Sequence, residues 1–173
     1  MAKILTVFYS RKGENYWNGS IKSIAKGNTE RVAEFIQNAV GGDLFEVETV
    51  REYDKDYYKC IEEAKQELRD KARPAIKAYP ENFEQYDIIF VGYPNWWGTM
   101  PMCMFTLFEN YDLTGKTVIP FCTNEGSGMG ASERDLKKIC SGATVKSGLS
   151  VHGAESEQSE AKVSAWAKAS IEG

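Results

Sequence analysis

The stretch Tyr93-Pro94-Asn95-Trp96-Trp97-Gly98-Thr99-Met100-Pro101 follows directly on the apolar run Ile88-Ile89-Phe90-Val91-Gly92. That run, bounded by Asp87 and Gly92-Tyr93-Pro94, reads as a buried strand. Pro94 closes it, because proline has no N–H to give a sheet ladder. Two adjacent tryptophans then sit in a loop between Pro94 and Pro101. Loops lie on the surface and carry function more often than core. Indoles held there between prolines form an aromatic wall that suits a planar ligand, or they cap the core or an interface.

Working outward, Ile4 to Phe8 is an apolar, β-branched strand of the kind buried on both faces in a parallel sheet. A polar segment follows, and then Gly27-Asn28-Thr29-Glu30 opens a helical pattern through Val32, Ala33, Phe35, Ile36 and Val40. Asn28 or Thr29 is the expected N-cap, and Gly41-Gly42 the stop. Leu44 to Glu48 reads as a second strand. Tyr53 to Arg73 reads as a charged helix with Tyr57, Ile61, Ala64 and Leu68 on one side.

Tyr86 to Gly92 is the third strand, and Met102 to Asn110 a short helix. Thr117 to Cys122 is the fourth strand, followed by the glycine-rich loop Thr123-Asn124-Glu125-Gly126-Ser127-Gly128-Met129-Gly130. Ser132 to Cys140 is a helix, Val145 to Val151 an uninterrupted fifth strand, and Glu157 to Ile171 the last helix. Alternating strands and helices predict an α/β fold with a parallel sheet, expected as a single domain over residues 1–173.

The chain has 173 residues, a formal net charge of -4 and a pI near 5.2, which argues against non-specific nucleic-acid or anionic-membrane binding. No apolar run approaches the roughly 20 residues of a bilayer span. The N-terminus shows no signal-peptide pattern, so a cytoplasmic location is expected. Cys60, Cys103, Cys122 and Cys140 are scattered and read as reduced, mostly buried thiols. His152 is the one histidine and reads as a strand-end surface residue, so no metal site is expected.

In an open parallel sheet, ligands bind outside the carboxyl ends of the strands. Three loops leave carboxyl ends here with unusual chemistry: Ser10 through Thr29, Pro94 through Thr99, and Thr123 through Gly130. The first ends at a helix start, where free N–H groups and the dipole favour an anion such as phosphate. By itself Gly-Asn-Thr also serves as a plain helix cap. The P-loop lysine and the Gly-x-Gly-x-x-Gly fingerprint are both absent. The third loop offers backbone amides to the edge of a flat heterocycle, or is a simple glycine turn.

Taken together, the three loops resemble those of the flavodoxins, specifically flavodoxin-like proteins with a Trp-Trp loop after the third strand. The resemblance implies a flavodoxin-like three-layer doubly wound fold with a five-stranded parallel sheet in order 2-1-3-4-5, and FMN as cofactor. It implies that Ser10, Asn28 and Thr29 bind the phosphate. Pro94, Asn95, Trp96, Trp97 and Gly98 would contact the ring from one side. Thr123, Glu125, Gly126, Ser127 and Gly128 would contact it from the other, mainly through backbone atoms.

One departure stands out. The phosphate loop is usually compact in that family, whereas residues 12–26 intervene here, beyond the roughly 2–6 typical of such connections. Asn15, Tyr16 and Trp17 in this segment either fold over the phosphate or ribityl chain or belong to a surface hairpin with no ligand contact. The implied function is electron transfer between redox partners, a donor reductase and an acceptor protein or small molecule. The alternative is an NAD(P)H-dependent FMN oxidoreductase acting on quinone, azo or nitro compounds. A third reading keeps the cleft for a non-flavin ligand. No catalytic acid or base stands out.

Overall fold

The computed structural model describes residues 1–172. In chain order it contains β1 (Ile4–Phe8), a hairpin of β2 (Gly13–Trp17) and β3 (Ser20–Ile24), α1 (Asn28–Val40), β4 (Asp43–Glu46) and α2 (Tyr57–Arg69). There follow β5 (Ile88–Pro94), α3 (Met102–Phe108), β6 (Thr117–Asn124), α4 (Ser132–Ile139), β7 (Thr144–Val145), β8 (Leu149–His152) and α5 (Glu160–Ile171).

The central sheet is parallel, in the order β4-β1-β5-β6, with β7 and β8 following each other along the outer side of β6. With β7 and β8 taken as one interrupted strand, this is the expected order 2-1-3-4-5. The interruption differs from the expected continuous Val145–Val151. Val118 pairs with Val145 and Phe121 with Leu149, so the break falls opposite Ile119 and Pro120. Pro120 has no N–H to offer a neighbour. The Gly148 N–H turns away to Glu133 Oε2 at 2.8 Å.

Side chains alternate across the sheet, as the two-residue strand period requires. Ile4, Phe8, Phe90, Ile119 and Phe121 meet Val32, Ala33 and Ile36 of α1 and Val163 and Ala167 of α5. Leu5, Val7, Ile89, Val91, Val118 and Cys122 meet the opposite layer, including Met104, Leu107 and Phe108 of α3 and Leu136 of α4. A Cβ on Gly92 would lie 2.1 Å from the Phe121 ring, so glycine is what lets β5 and β6 pack here. All four cysteines are free and buried.

Several boundaries moved. The charged helix starts only at Tyr57, where the Asp56 side chain accepts from the Lys59 N–H. The cap of α1 is neither Asn28 nor Thr29 but Gly27. The capping oxygen comes instead from Ser10, whose Oγ accepts from the Glu30 N–H at 3.0 Å. Residues 12–26 supply β2 and β3, an antiparallel hairpin outside the central sheet.

Candidate functional site

The chain order of the sheet reverses between β1 and β5, and ligands of such sheets bind at this switch point. A cleft of about 320 Å³ opens there, within the size range of small-molecule sites. Its lining comes from five places: Arg11, Asn15 and Tyr16; Asn28 at the start of α1; Tyr57, Cys60, Ile61 and Ala64 of α2; Pro94 to Trp97; and Thr123, Asn124, Glu125, Ser127 and Gly153.

At the α1 end the donors are set by helix geometry. The first N–H groups of a helix have no partner within it. Ser10 takes that of Glu30, which leaves those of Asn28 and Thr29 without a partner among the described residues. The Asn28 side chain lines the cleft and accepts from the Ser156 hydroxyl at 3.0 Å. Thr29 is different. It is 2% exposed, and its hydroxyl pairs with that of Thr123 at 2.7 Å. Its side chain therefore ties α1 to β6, and only its backbone remains for an anion. Arg11 is the one cationic side chain among the described lining residues. Its guanidinium is steadied by the carbonyls of Glu14 at 2.8 Å, Asp54 at 3.0 Å and Lys55 at 3.1 Å.

The two indoles part company. Trp96 meets Tyr9 and Tyr53 edge-on at centroid distances of 5.2 and 4.9 Å, so much of it belongs to the core although it also lines the cleft. Trp97 is 45% exposed, and its Nε1 donates to the Ile61 carbonyl of α2 at 2.7 Å. The backbone of Trp97 has φ of +58°, a left-handed conformation that costs a residue with a side chain about 1–2 kcal/mol. Both indoles line the cleft, as expected for a shared wall, but they differ in exposure: Trp96 is half-buried and Trp97 is exposed.

Asparagines hold the remaining loops. Asn95 accepts from the Gly98 N–H and donates to the Gly128 carbonyl, both at 2.8 Å, so one side chain fastens the loop after β5 to the loop after β6. Gly98 itself does not line the cleft. Its carbonyl accepts from the Ala131 N–H. Asn124 Oδ1 accepts from the N–H groups of both Gly126 and Gly128 at 3.0 Å. Those two amides are already satisfied, so the expected backbone contact through Gly126 and Gly128 does not follow from this geometry. Ser127 and Glu125 do line the cleft.

Glu125 is the one carboxylate among the described lining residues. It accepts from the Asn18 N–H at 2.7 Å and the Ala154 N–H at 3.1 Å, with His152 Nε2 3.4 Å away. A Cβ at Gly153 would come within 2.6 Å of Asn28 Nδ2 and 2.9 Å of Glu125 Oε2, so a side chain there would push both away from their present positions. Tyr16 stacks near Tyr57 with centroids 6.2 Å apart. Burial pushes the Cys60 thiol up to about 11, so this wall residue is a neutral thiol near pH 7 rather than a nucleophile.

A flavodoxin family model matches residues 21–169. The chain belongs to the flavodoxin family. Members of that family bind FMN. A candidate flavoprotein from Bacteroides eggerthii is 33% identical, with 100% of each chain covered and a TM-score of 0.79. A flavoprotein from Lactobacillus acidophilus, solved in complex with FMN, is 23% identical over 91% of this chain and 98% of its own, with a TM-score of 0.66. Flavodoxin 2 from Bacillus cereus is 24% identical over 98% and 97%, with a TM-score of 0.57. At these last two identities the likeness speaks for the fold. No curated protein matches the chain.

Arg11, Tyr57, Cys60, Ile61, Ala64, Asn124 and Gly153 line the cleft without having been singled out in the sequence. Arg11 directly follows Ser10 and was within reach of the same reasoning. The stripe through Tyr57, Ile61 and Ala64 has the spacing of a core face, and part of it serves as a wall of the cleft instead. Nothing in the sequence around Gly153 marks it.

Proposed function

We propose that the chain binds FMN in this cleft and carries electrons between redox partners. The observation that carries the reading is the pairing, within one cleft, of an open helix start beside Arg11 with an exposed indole held against α2. The donor set fits the group. The N–H groups of Asn28 and Thr29 and the Arg11 guanidinium suit a phosphate. Trp97, Tyr57 and Tyr16 suit a flat ring. The strained backbone of Trp97 supports the reading, since strain of this kind gathers at ligand sites.

Bound FMN would supply one- and two-electron redox chemistry. The protein's part is to bind, orient and set the field. Asn28 and Arg11 fix the phosphate end. Trp97 shields one side of the ring region from water. Glu125, held by two backbone N–H groups, places a negative charge on the cleft wall and opposes the addition of negative charge to a bound ring. No helix among the described residues is long and apolar enough to cross a membrane.

The test uses flavins with and without the phosphate. Asn28→Asp sets a carboxylate where the phosphate is expected. It should weaken FMN binding by about 10- to 100-fold, the scale of one or two lost charge-assisted hydrogen bonds, while riboflavin affinity moves little. Equal loss for both flavins in a fluorescence titration would place the phosphate elsewhere. Steady-state oxidation of NADH or NADPH without a separate reductase would replace the carrier with an oxidoreductase.

A further inference from the structure

The hairpin β2–β3 is joined to the fold by few contacts, and these lie on opposite sides of the cleft. At its base, Asn15 Nδ2 donates to the Arg11 carbonyl at 2.8 Å, and Glu14 Oε1 accepts from the Tyr57 N–H at 2.8 Å. Tyr16 stacks near Tyr57 of α2. At its tip, the Asn18 N–H reaches Glu125 at 2.7 Å, and Asn18 Oδ1 lies 3.0 Å from His152 Nε2. Between base and tip, Asn15 and Tyr16 face the cleft. The chain therefore runs from the end of β1, past the α2 wall, to the ends of β6 and β8, where Glu125 stands close to Asn28.

The hairpin's own construction suits a moving part. Asn18 and Gly19 have φ of +48° and +91°, the pattern of a tight two-residue hairpin turn, so the pairing of the two strands is set locally. Its second strand is exposed or only half-buried throughout. A two-stranded hairpin with so little buried face is marginal alone and opens locally at low cost.

We propose that residues 13–24 form a strap that closes over the flavin and gates its exchange, latched at the tip by Asn18 on Glu125 and His152. This rests on the FMN reading above. With the strap latched, only the unlatched fraction of molecules admits the ligand, so both binding and release are slowed by that fraction. Such a device differs from a binding residue, whose loss speeds release alone.

The test is stopped-flow mixing of FMN with the apoprotein, followed by a displacement chase. Replacing residues 13–24 by two glycines should speed association and release together, each by about ten-fold or more, since the closed population is removed. His152→Ala loosens the latch without touching the cleft lining, and should speed both by about two- to five-fold, the effect of one part-exposed hydrogen bond. Wild-type rates in both variants overturn the strap.

If the shortened chain fails to fold, hydrogen exchange on the wild-type protein decides. Amides of residues 14–23 should gain about ten-fold protection when FMN is added, and an unchanged rate overturns the proposal. A wild-type chain that takes up no FMN overturns the functional reading together with this one. Uptake with unprotected hairpin amides overturns the strap alone.

Discussion

Asn95 fastens the loop after β5 to the loop after β6 through two hydrogen bonds of 2.8 Å, and the Thr29 hydroxyl fastens α1 to β6 from within the core. The hairpin on the other side of the same cleft is held by a stacked tyrosine, a few hydrogen bonds and a turn resting on Glu125. The first region is a frame: its polar groups are mutually satisfied, and moving one loop breaks bonds to the next. The second is a cover: its own ladder is internal, so lifting it breaks few bonds to the rest of the fold. A ligand that enters such a site meets donors already in place on the frame. What must rearrange is the cover. The division also appears inside one dipeptide, where Trp96 belongs to the frame and Trp97 to the open surface.

The largest effect should come from separating that dipeptide. Trp96→Ala removes a half-buried ring packed edge-on against Tyr9 and Tyr53, and should cost about 2–3 kcal/mol of stability, below the range for a fully buried aromatic. Trp97→Ala removes a ring that is 45% exposed, held by one hydrogen bond from its Nε1 and by the Lys65 ammonium 5.1 Å over its face, and should cost about 1 kcal/mol. Urea unfolding of the two apoproteins measures the difference. Equal losses would erase the distinction between frame and surface. FMN affinity should follow the opposite order in variants that stay folded, with Trp97→Ala the more damaging.

Much of the frame was legible in the sequence because strands buried on both faces write themselves as apolar runs. Ile4 to Phe8 and Ile88 to Val91 need no knowledge of their neighbours. The loops at their ends were legible for the converse reason: glycine, proline, asparagine and paired indoles have no business in those strands. Which indole turns inward was not legible. It depends on a left-handed backbone at Trp97 that no residue type at that position announces. The satisfied amides of Gly126 and Gly128 were closer to hand, since Asn124 two residues before a glycine is a side-chain turn signal.

The hairpin also left a trace, in the Asn18-Gly19 pair that favours a tight turn. The flanking residues are largely polar, and lack the strict alternation that marks a half-buried strand. The break in the fifth strand lay hidden in a different strand, since its position is set opposite Pro120 of β6.

Asn95 is the place to weaken the frame without emptying the core. Asn95→Ala leaves the Gly98 N–H and the Gly128 carbonyl without their partner. The expected cost is about 1–2 kcal/mol, in line with two part-buried groups left unpaired. The two loops then move independently, so FMN affinity should fall by about ten-fold, the equivalent of 1.4 kcal/mol of lost pre-organisation. Asn95→Asp keeps the acceptor for Gly98 and loses the donor to Gly128, and should fall between the two. Thermal unfolding and a flavin titration read both quantities. Unchanged affinity in the alanine variant would show that the ring loops are rigid without their pin.

Glu125 belongs to both regions, because it lines the cleft beside the frame and receives the hairpin tip. Its charge can be removed while one of its two acceptor oxygens is kept: Glu125→Gln can accept from the Asn18 N–H or the Ala154 N–H, but not from both. If the carboxylate opposes negative charge on a bound ring, the midpoint potential of the FMN-loaded protein should rise by a few tens of millivolts, where about 30 mV in a two-electron couple corresponds to 1.4 kcal/mol. FMN association should stay within about two-fold of wild type if one Gln oxygen still accepts from Asn18. A raised potential with unchanged association assigns Glu125's charge to the frame and its acceptor oxygen to the cover. An unchanged potential with faster association would make Glu125 a latch for the hairpin, with no electrostatic hold on the flavin.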